Sequence, residues 1–262
     1  MSAARLALAT LAVASSLAAG KDRPAVASVY SSATIVNAAT GLPGGFAANS
    51  MVSVYGTNLS YDTAAAPAGQ NVLPIKLAGV SVLLGGTLAN LYYVSPGQVN
   101  FLIPAELEPG PLVLRMVRDG LYGPSVTLTL TETAPGLFQL SSDTVIATHT
   151  DGSLLSAAAP ASPGEVVILY AAGLGRTSPD VLSGQASSGA ISILHLKDLS
   201  VLLDNVAVDR SLILYAGIAP GFAGLYQINL RLPATLSANP EIRIFIGAQS
   251  SPSFLKLPVH LQ

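Results

Sequence analysis

Hydrophobic positions along this chain recur with a period of two, in short runs. In Gln98–Ile103, Val99, Phe101 and Ile103 fall on one face and Gln98, Asn100 and Leu102 on the other. In Gln227–Leu232, Ile228, Leu230 and Leu232 share a face opposite Gln227, Asn229 and Arg231. A segment with one apolar face and a period of two is a strand covering a core on one side. "MVSVY", "GVSVLL", "ANLYYV", "LVLRMV" and "SVTLTL" read as further strands before residue 132, and "EVVILY", "DLSVLL", "LILYAG", "EIRIFIG" and "FLKLPV" after it. They are rich in β-branched and aromatic residues and bounded by Gly, Pro, Asn and Ser. Beyond the first twenty residues no segment sustains the 3.6-residue period of an amphipathic helix. The pattern predicts an all-β protein.

The pattern also repeats. "QVNFLIP" (Gln98–Pro104) lies over "QINLRLP" (Gln227–Pro233), "SVYGTNL" (Ser53–Leu59) over "ILYAAGL" (Ile168–Leu174), and "SVLL" occurs at Ser81 and again at Ser200. The order is kept and the spacing grows only through loops, as expected of a tandem duplication. The largest growth separates Tyr215 from Gln227 by "AGIAPGFAGLY", where Tyr93 and Gln98 are separated only by "VSPG". About seven short strands in roughly ninety residues fit an immunoglobulin-like sandwich. The prediction is two tandem immunoglobulin-like domains, 41–132 and 133–262, the second led by a hairpin that turns at Asp151-Gly152. Residues 21–40 are expected to be loosely ordered.

Residues 1–20 read as a signal peptide. Arg5 is the positive charge, Leu6–Ala19 the apolar stretch, and Ser16, Ala18 and Gly20 the small residues a peptidase needs. Cleavage after Ala18, Gly20 or, further on, Ala27 fits. The expected location is outside the cytoplasm, extracellular or at the cell surface or periplasm.

Composition narrows the partners. Of the 262 residues 50% are hydrophobic and only 10% charged, against roughly 25% charged in a typical soluble domain. Past the leader no run approaches the ~18 apolar residues of a spanning helix, so no membrane span is expected after cleavage. An outer-membrane barrel needs aromatic girdles, and aromatics are 6% with no Trp. The net charge of -2, without a basic cluster, offers no footprint for nucleic acid. The absence of cysteine removes disulfides, thiolate catalysis and Cys-bound metals.

The stretch from "VSVYGTNLS" to "GPSVTLTL" (Val52–Leu130) resembles the IPT/TIG immunoglobulin-like domain in its Gly-x-Asn-Leu turn and "YVSPGQVNF" strand. From about Asn37 onward, "NAAT", "YGTNLS", "YVSPGQVNF", "APGLF", "DGSLL", "PGEVVILYAAGLG" and "AGIAPGFAGLYQINLRLP" resemble, in order, the motifs of the uncharacterised Solibacter-type C-terminal module of secreted acidobacterial proteins. The resemblance implies the IPT/TIG-type sandwich fold, export and a non-enzymatic character. It brings no catalytic residues and no cofactor.

Among candidates for chemistry, the polar face of the repeated strand stands first. Gln98, Asn100, Gln227 and Asn229, with Tyr92, Tyr93 and Tyr226 nearby, carry amides that can hydrogen-bond sugar hydroxyls and rings that can stack. The plainer reading has the same amides bonding loop backbone at the strand exits, and the presence of the pattern in both copies favours it. In "HTDGS" (His149–Ser153) His, Asp and Ser are adjacent in sequence, whereas a nucleophilic triad gathers them from separate elements. His149, His195 and His260 lack zinc spacing, and Asp198, Asp204 and Asp209 lack the density of oxygens a calcium loop uses. "GLGRTSPD" (Gly173–Asp180) has no phosphate-loop Lys and is read as a loop. No cofactor is expected. The expected function is a non-enzymatic exported structural or binding module; the alternatives are a carbohydrate-binding or adhesion module and, further off, a glycan-active hydrolase. A glycan or another protein outside the cell is the partner that fits.

Overall fold

The structure, a computed structural model, describes residues 25–260; the expected signal peptide, 1–20, lies outside them. Among the described residues there is no α-helix, only three-residue 3-10 turns between strands. The chain forms two immunoglobulin-like β-sandwiches in tandem.

In the first sandwich one sheet runs Ile35–Asn37, Met51–Tyr55, Gln98–Leu102, Asn90–Val94, Ala64–Ala65, and the other Phe46–Ala47, Leu121–Thr131, Gly110–Arg118, Val80–Leu84, Thr87–Leu88. Val99, Phe101 and Ile103 enter its core with Val52, Val54, Val82 and Leu91, which is the face the alternation assigned. In the second sandwich the sheets run Gly136–Leu137, Val166–Ala172, Tyr226–Arg231, Ile213–Ile218, Ile191–Ile193, Thr177–Ser178, and Val206–Ala207, Leu199–Leu203, Ile242–Ile246, Gln249–Ser250. Ile228, Leu230 and Leu232 fill its core. "FLKLPV" buries Leu255, Leu257 and Val259 but joins neighbours only through isolated bridges.

The duplication extends to register. Ser53 pairs with Asn100 and Tyr55 with Gln98; the equivalent Ile168 pairs with Asn229 and Tyr170 with Gln227. A slip by one residue would turn every side chain over, so the same residues line the same faces twice. The Asp151-Gly152 hairpin is present: Thr148 bridges Leu154 and Gly152 takes φ +84°.

Of the segment 21–40 expected to be loosely ordered, 21–24 lie outside the described residues and 25–40 pack on the first sandwich. Ile35–Asn37 is an edge strand on Met51–Tyr55, Val29 bridges Thr57, and the Tyr30 ring lies in the first core with its hydroxyl accepting from Met116 N at 2.9 Å. Arg118, 2% exposed, stacks on Tyr61 with 4.0 Å to the ring centroid and donates to the Val26 and Asn58 carbonyls. A three-residue strand and a single 3-10 turn are too short to show a period, which is why the sequence concealed them.

Candidate functional site: the seam between the sandwiches

A third apolar cluster lies between the sandwiches. Ala39, Met51 and Leu102 of the first meet Ala219, Ala223 and Leu225 of the second, continuous with Phe138 and Tyr170. The second group is the insertion "AGIAPGFAGLY": its residues close a turn between two strands, with Ala219 N donating to Leu225 O at 2.8 Å, and the turn leans on the first sandwich. The outer face of Gln98–Leu102 is therefore not a solvent face. Leu102 and Asn100 are each 1% exposed, and the longer loop of the second copy covers Leu102. The second copy has no such cover, and Gln227 and Asn229 stay partly exposed and Arg231 exposed.

Two of the tyrosines read from the sequence as ligand candidates, Tyr92 and Tyr226, lie at this seam. Tyr226 is fully buried; its hydroxyl accepts from Asn49 Nδ2 at 3.1 Å and donates to the Gly175 carbonyl. Tyr92, partly buried, donates to the Ala223 carbonyl across the seam. Tyr93 is buried beside Asn100. The amides bond in identical fashion in the two copies: Gln98 Nε2 donates to Asn100 Oδ1 at 2.9 Å and Gln227 Nε2 to Asn229 Oδ1 at 3.1 Å. Tyr92 and Tyr226 are thus held at the seam, the four amides form a repeated strand clasp with buried Tyr93 beside the first, and among the described residues no exposed aromatic platform gathers the seven.

Burial pushes the phenols of Tyr92 and Tyr226 well above the ordinary tyrosine value of 10.0. The unfolded chain ionises them near that value, so the folded chain holds more protons above it. Stability is then independent of these phenols below pH ~10 and falls as pH rises further, by up to about 1.4 kcal/mol per pH unit for each. Chemical denaturation at pH 9.5 and 11 is expected to show this fall, and Tyr226→Phe to remove one phenol's share; equal slopes in the two proteins would contradict it.

Sequence reading missed the backbone side of the seam. Asn37, of "NAAT", donates through Nδ2 to the Ala134 carbonyl at 3.3 Å, fastening the linker "APGLF". Ala134 N in turn donates to Gly173 O at 2.7 Å. A Cβ on Gly173 would stand 2.0 Å from the Ala134 carbonyl oxygen, one on Gly175 2.5 Å from that of Glu132, and one on Gly224 2.0 Å from Leu102 Cδ1. "GLG" is thus a loop, as read, whose glycines allow two chains to touch. The signal was present in the glycine-rich motifs and in the insertion, but without a partner surface its meaning was not.

Charged groups flank the seam. Arg176 pairs with Glu108 at 3.1 Å and with Asp180, and the Arg176 hydrogen bond holds the Asp180 carboxyl below the usual range. His195 lies 3.5 Å from Glu132 and 3.3 Å from Asp198. Such exposed pairs contribute at most about 1 kcal/mol each. In "HTDGS" the Ser153 hydroxyl donates to Asp151 at 2.6 Å, while His149 contacts Glu165, so the three are used in turn and strap. Among the described residues no three His, Asp or Glu gather as a metal site.

No protein-family model matches the chain, and no curated protein does. Among solved structures it is similar to SGBP-B of the Bacteroides ovatus mixed-linkage glucan utilization locus, in complex with a mixed-linkage heptasaccharide, at 13% identity and TM-score 0.32 over 82% of this chain and 42% of that one. It is similar also to SGBP-B from a complex xyloglucan utilization locus in Bacteroides uniformis, at 13% identity and TM-score 0.27 over 82% and 46%. A third is the S-layer protein SbsC, domains 5–6, at 10% identity and TM-score 0.28 over 88% and 98%. The chain spans less than half the length of the first two. At these scores the likeness bears on neither ligand nor activity.

Proposed function

We propose that the chain is an exported, non-enzymatic structural or binding module that works outside the cytoplasm as a docked pair of immunoglobulin-like sandwiches. The observation that carries this reading is the seam: Tyr92, Tyr226, Asn49 and the insertion spend their polar and apolar groups on fixing one domain against the other. A docked pair holds its two ends at a set separation, which is what a spacer or presenting module requires. The leader and the resemblance to IPT/TIG-type and Solibacter-type modules support export. Cleavage after Ala18 or Gly20 suits the structure better than cleavage after Ala27, which would remove the Val26 carbonyl that buried Arg118 uses.

Expression of the full chain in a bacterial host, with cell fractionation and N-terminal sequencing, tests this. Processed protein outside the cytoplasm, beginning at Ala19 or Lys21 and releasing no reducing ends from polysaccharides, is the expected result. Unprocessed protein in the cytosol, or saturable release of reducing ends, would overturn it. A carbohydrate-binding module is the second reading, favoured by an amide-lined cleft beside the seam.

A further inference from the structure

We propose that this cleft binds a neutral, polyhydroxylated ligand, a segment of an uncharged polysaccharide, through Gln70, Asn71 and Gln185. The inference rests on the binding-module side of the proposed function and gives it a site, one distinct from the tyrosines and amides of the seam.

The cleft has a volume of about 840 Å³ and is walled by residues 69–71 of the first sandwich and 180–182 and 185–191 of the second, with Gly221 of the insertion also lining it. That volume lies within the range of ordinary ligand sites. Its walls are joined by main-chain bonds: Leu73 N to Gly184 O at 2.9 Å, Ala186 N to Asn71 O at 2.8 Å, and Gly221 N to Ser187 O at 2.7 Å. Gly184 is without a Cβ for the same reason as the seam glycines, since one would stand 2.2 Å from Asn90 Cγ. The loops are thus fixed before any ligand arrives, which lowers the entropy that binding must overcome.

The lining chemistry selects the ligand. Gln70, Asn71 and Gln185 are exposed, and their side-chain amides hold no partner among the described residues. Each amide presents an acceptor oxygen and a two-proton donor in a fixed fork, matching hydroxyls that both donate and accept. Asp180 is the only ionisable group in the lining, and Arg176 engages its carboxylate. Among the described residues no Lys, Arg or His lines the cleft to attract an anionic polymer. Leu182, 73% exposed on the rim, and Ile191 offer apolar surface to the C–H face of a sugar ring.

Affinity electrophoresis of the full chain tests this, in gels carrying hydroxyethylcellulose, galactomannan or dextran as neutral polymers and polygalacturonate as the anionic one. At least one neutral polymer is expected to retard the protein and polygalacturonate to leave it unmoved. The combined variant Gln70→Ala, Asn71→Ala, Gln185→Ala is expected to raise Kd about tenfold or more, equivalent to ~1.4 kcal/mol, with its thermal midpoint unchanged because the main-chain bonds of Asn71 and Ala186 remain. Retardation by no neutral polymer, retardation undiminished in the variant, or retardation by polygalacturonate alone overturns the proposal. Reducing ends measured on the same mixtures separate the two readings. Their release counts against a non-enzymatic module, whereas their absence together with absent retardation counts against the cleft alone.

Discussion

Gly173→Ala is expected to lower the stability of the chain by at least ~3 kcal/mol, although it adds one methyl group. Gly173 takes φ +75°, and the new Cβ would stand 2.0 Å from the Ala134 carbonyl oxygen and 2.8 Å from its carbon. The left-handed backbone alone costs a non-glycine residue about 1–2 kcal/mol. The remainder comes from the collision, which main chain cannot relieve by a rotamer change. Ala134 must move, breaking its bond to Gly173 O and loosening the one from Asn37. Gly152→Ala is the control, since Gly152 takes φ +84° with nothing within 4 Å of the added carbon; it is expected to lose only the backbone share. Calorimetry should show the Gly173 variant melting roughly 6–12 °C lower, with the single transition dividing as the sandwiches part. Equal losses at the two positions would mean that the linker contact contributes nothing.

Tyr226→Phe is expected to cost about 2–4 kcal/mol while leaving the ring and its packing in place. The lost hydroxyl serves two partners, Asn49 Nδ2 at 3.1 Å and the Gly175 carbonyl, at a fully buried position. An unsatisfied buried donor or acceptor costs about 1–3 kcal/mol, more than the net gain of an ordinary hydrogen bond. A double-mutant cycle with Asn49→Gly isolates the cross-domain pair, glycine being chosen because Asn49 takes φ +60°. Contacting pairs of this kind couple by roughly 0.5–3 kcal/mol. A coupling near zero, or a Phe variant within 0.5 kcal/mol of the parent, would remove Tyr226 from the account of the seam.

The sequence yielded most where one residue in two faced a core. Val99, Phe101 and Ile103, and their counterparts Ile228, Leu230 and Leu232, alternate clearly enough to predict strand, face and repeat together, and the structure places them there. It yielded least where both faces of a strand are covered for different reasons. Leu102 sits on the polar half of the alternation, yet the insertion of the second copy covers it. No local pattern records a neighbour that far along the chain. Small residues concealed the rest: Ala39, Ala219 and Ala223 carry too little hydrophobic signal to mark an interface, and Gly173 and Gly224 look like ordinary turn residues until the opposing backbone is known. The cleft escaped for the same reason, since Gln70 and Gln185 read as loop residues in separate domains.

The seam also sets a problem of timing during synthesis. The first sandwich is complete once the strand ending at Thr131 has left the ribosome, but the turn that covers Met51, Leu102 and Tyr92 ends at Leu225. At ~5–20 residues per second, that interval lasts roughly 5–20 s. A first sandwich that folds around its own core within that interval displays an uncovered apolar patch, the kind of surface on which growing chains associate wrongly or are held by a chaperone.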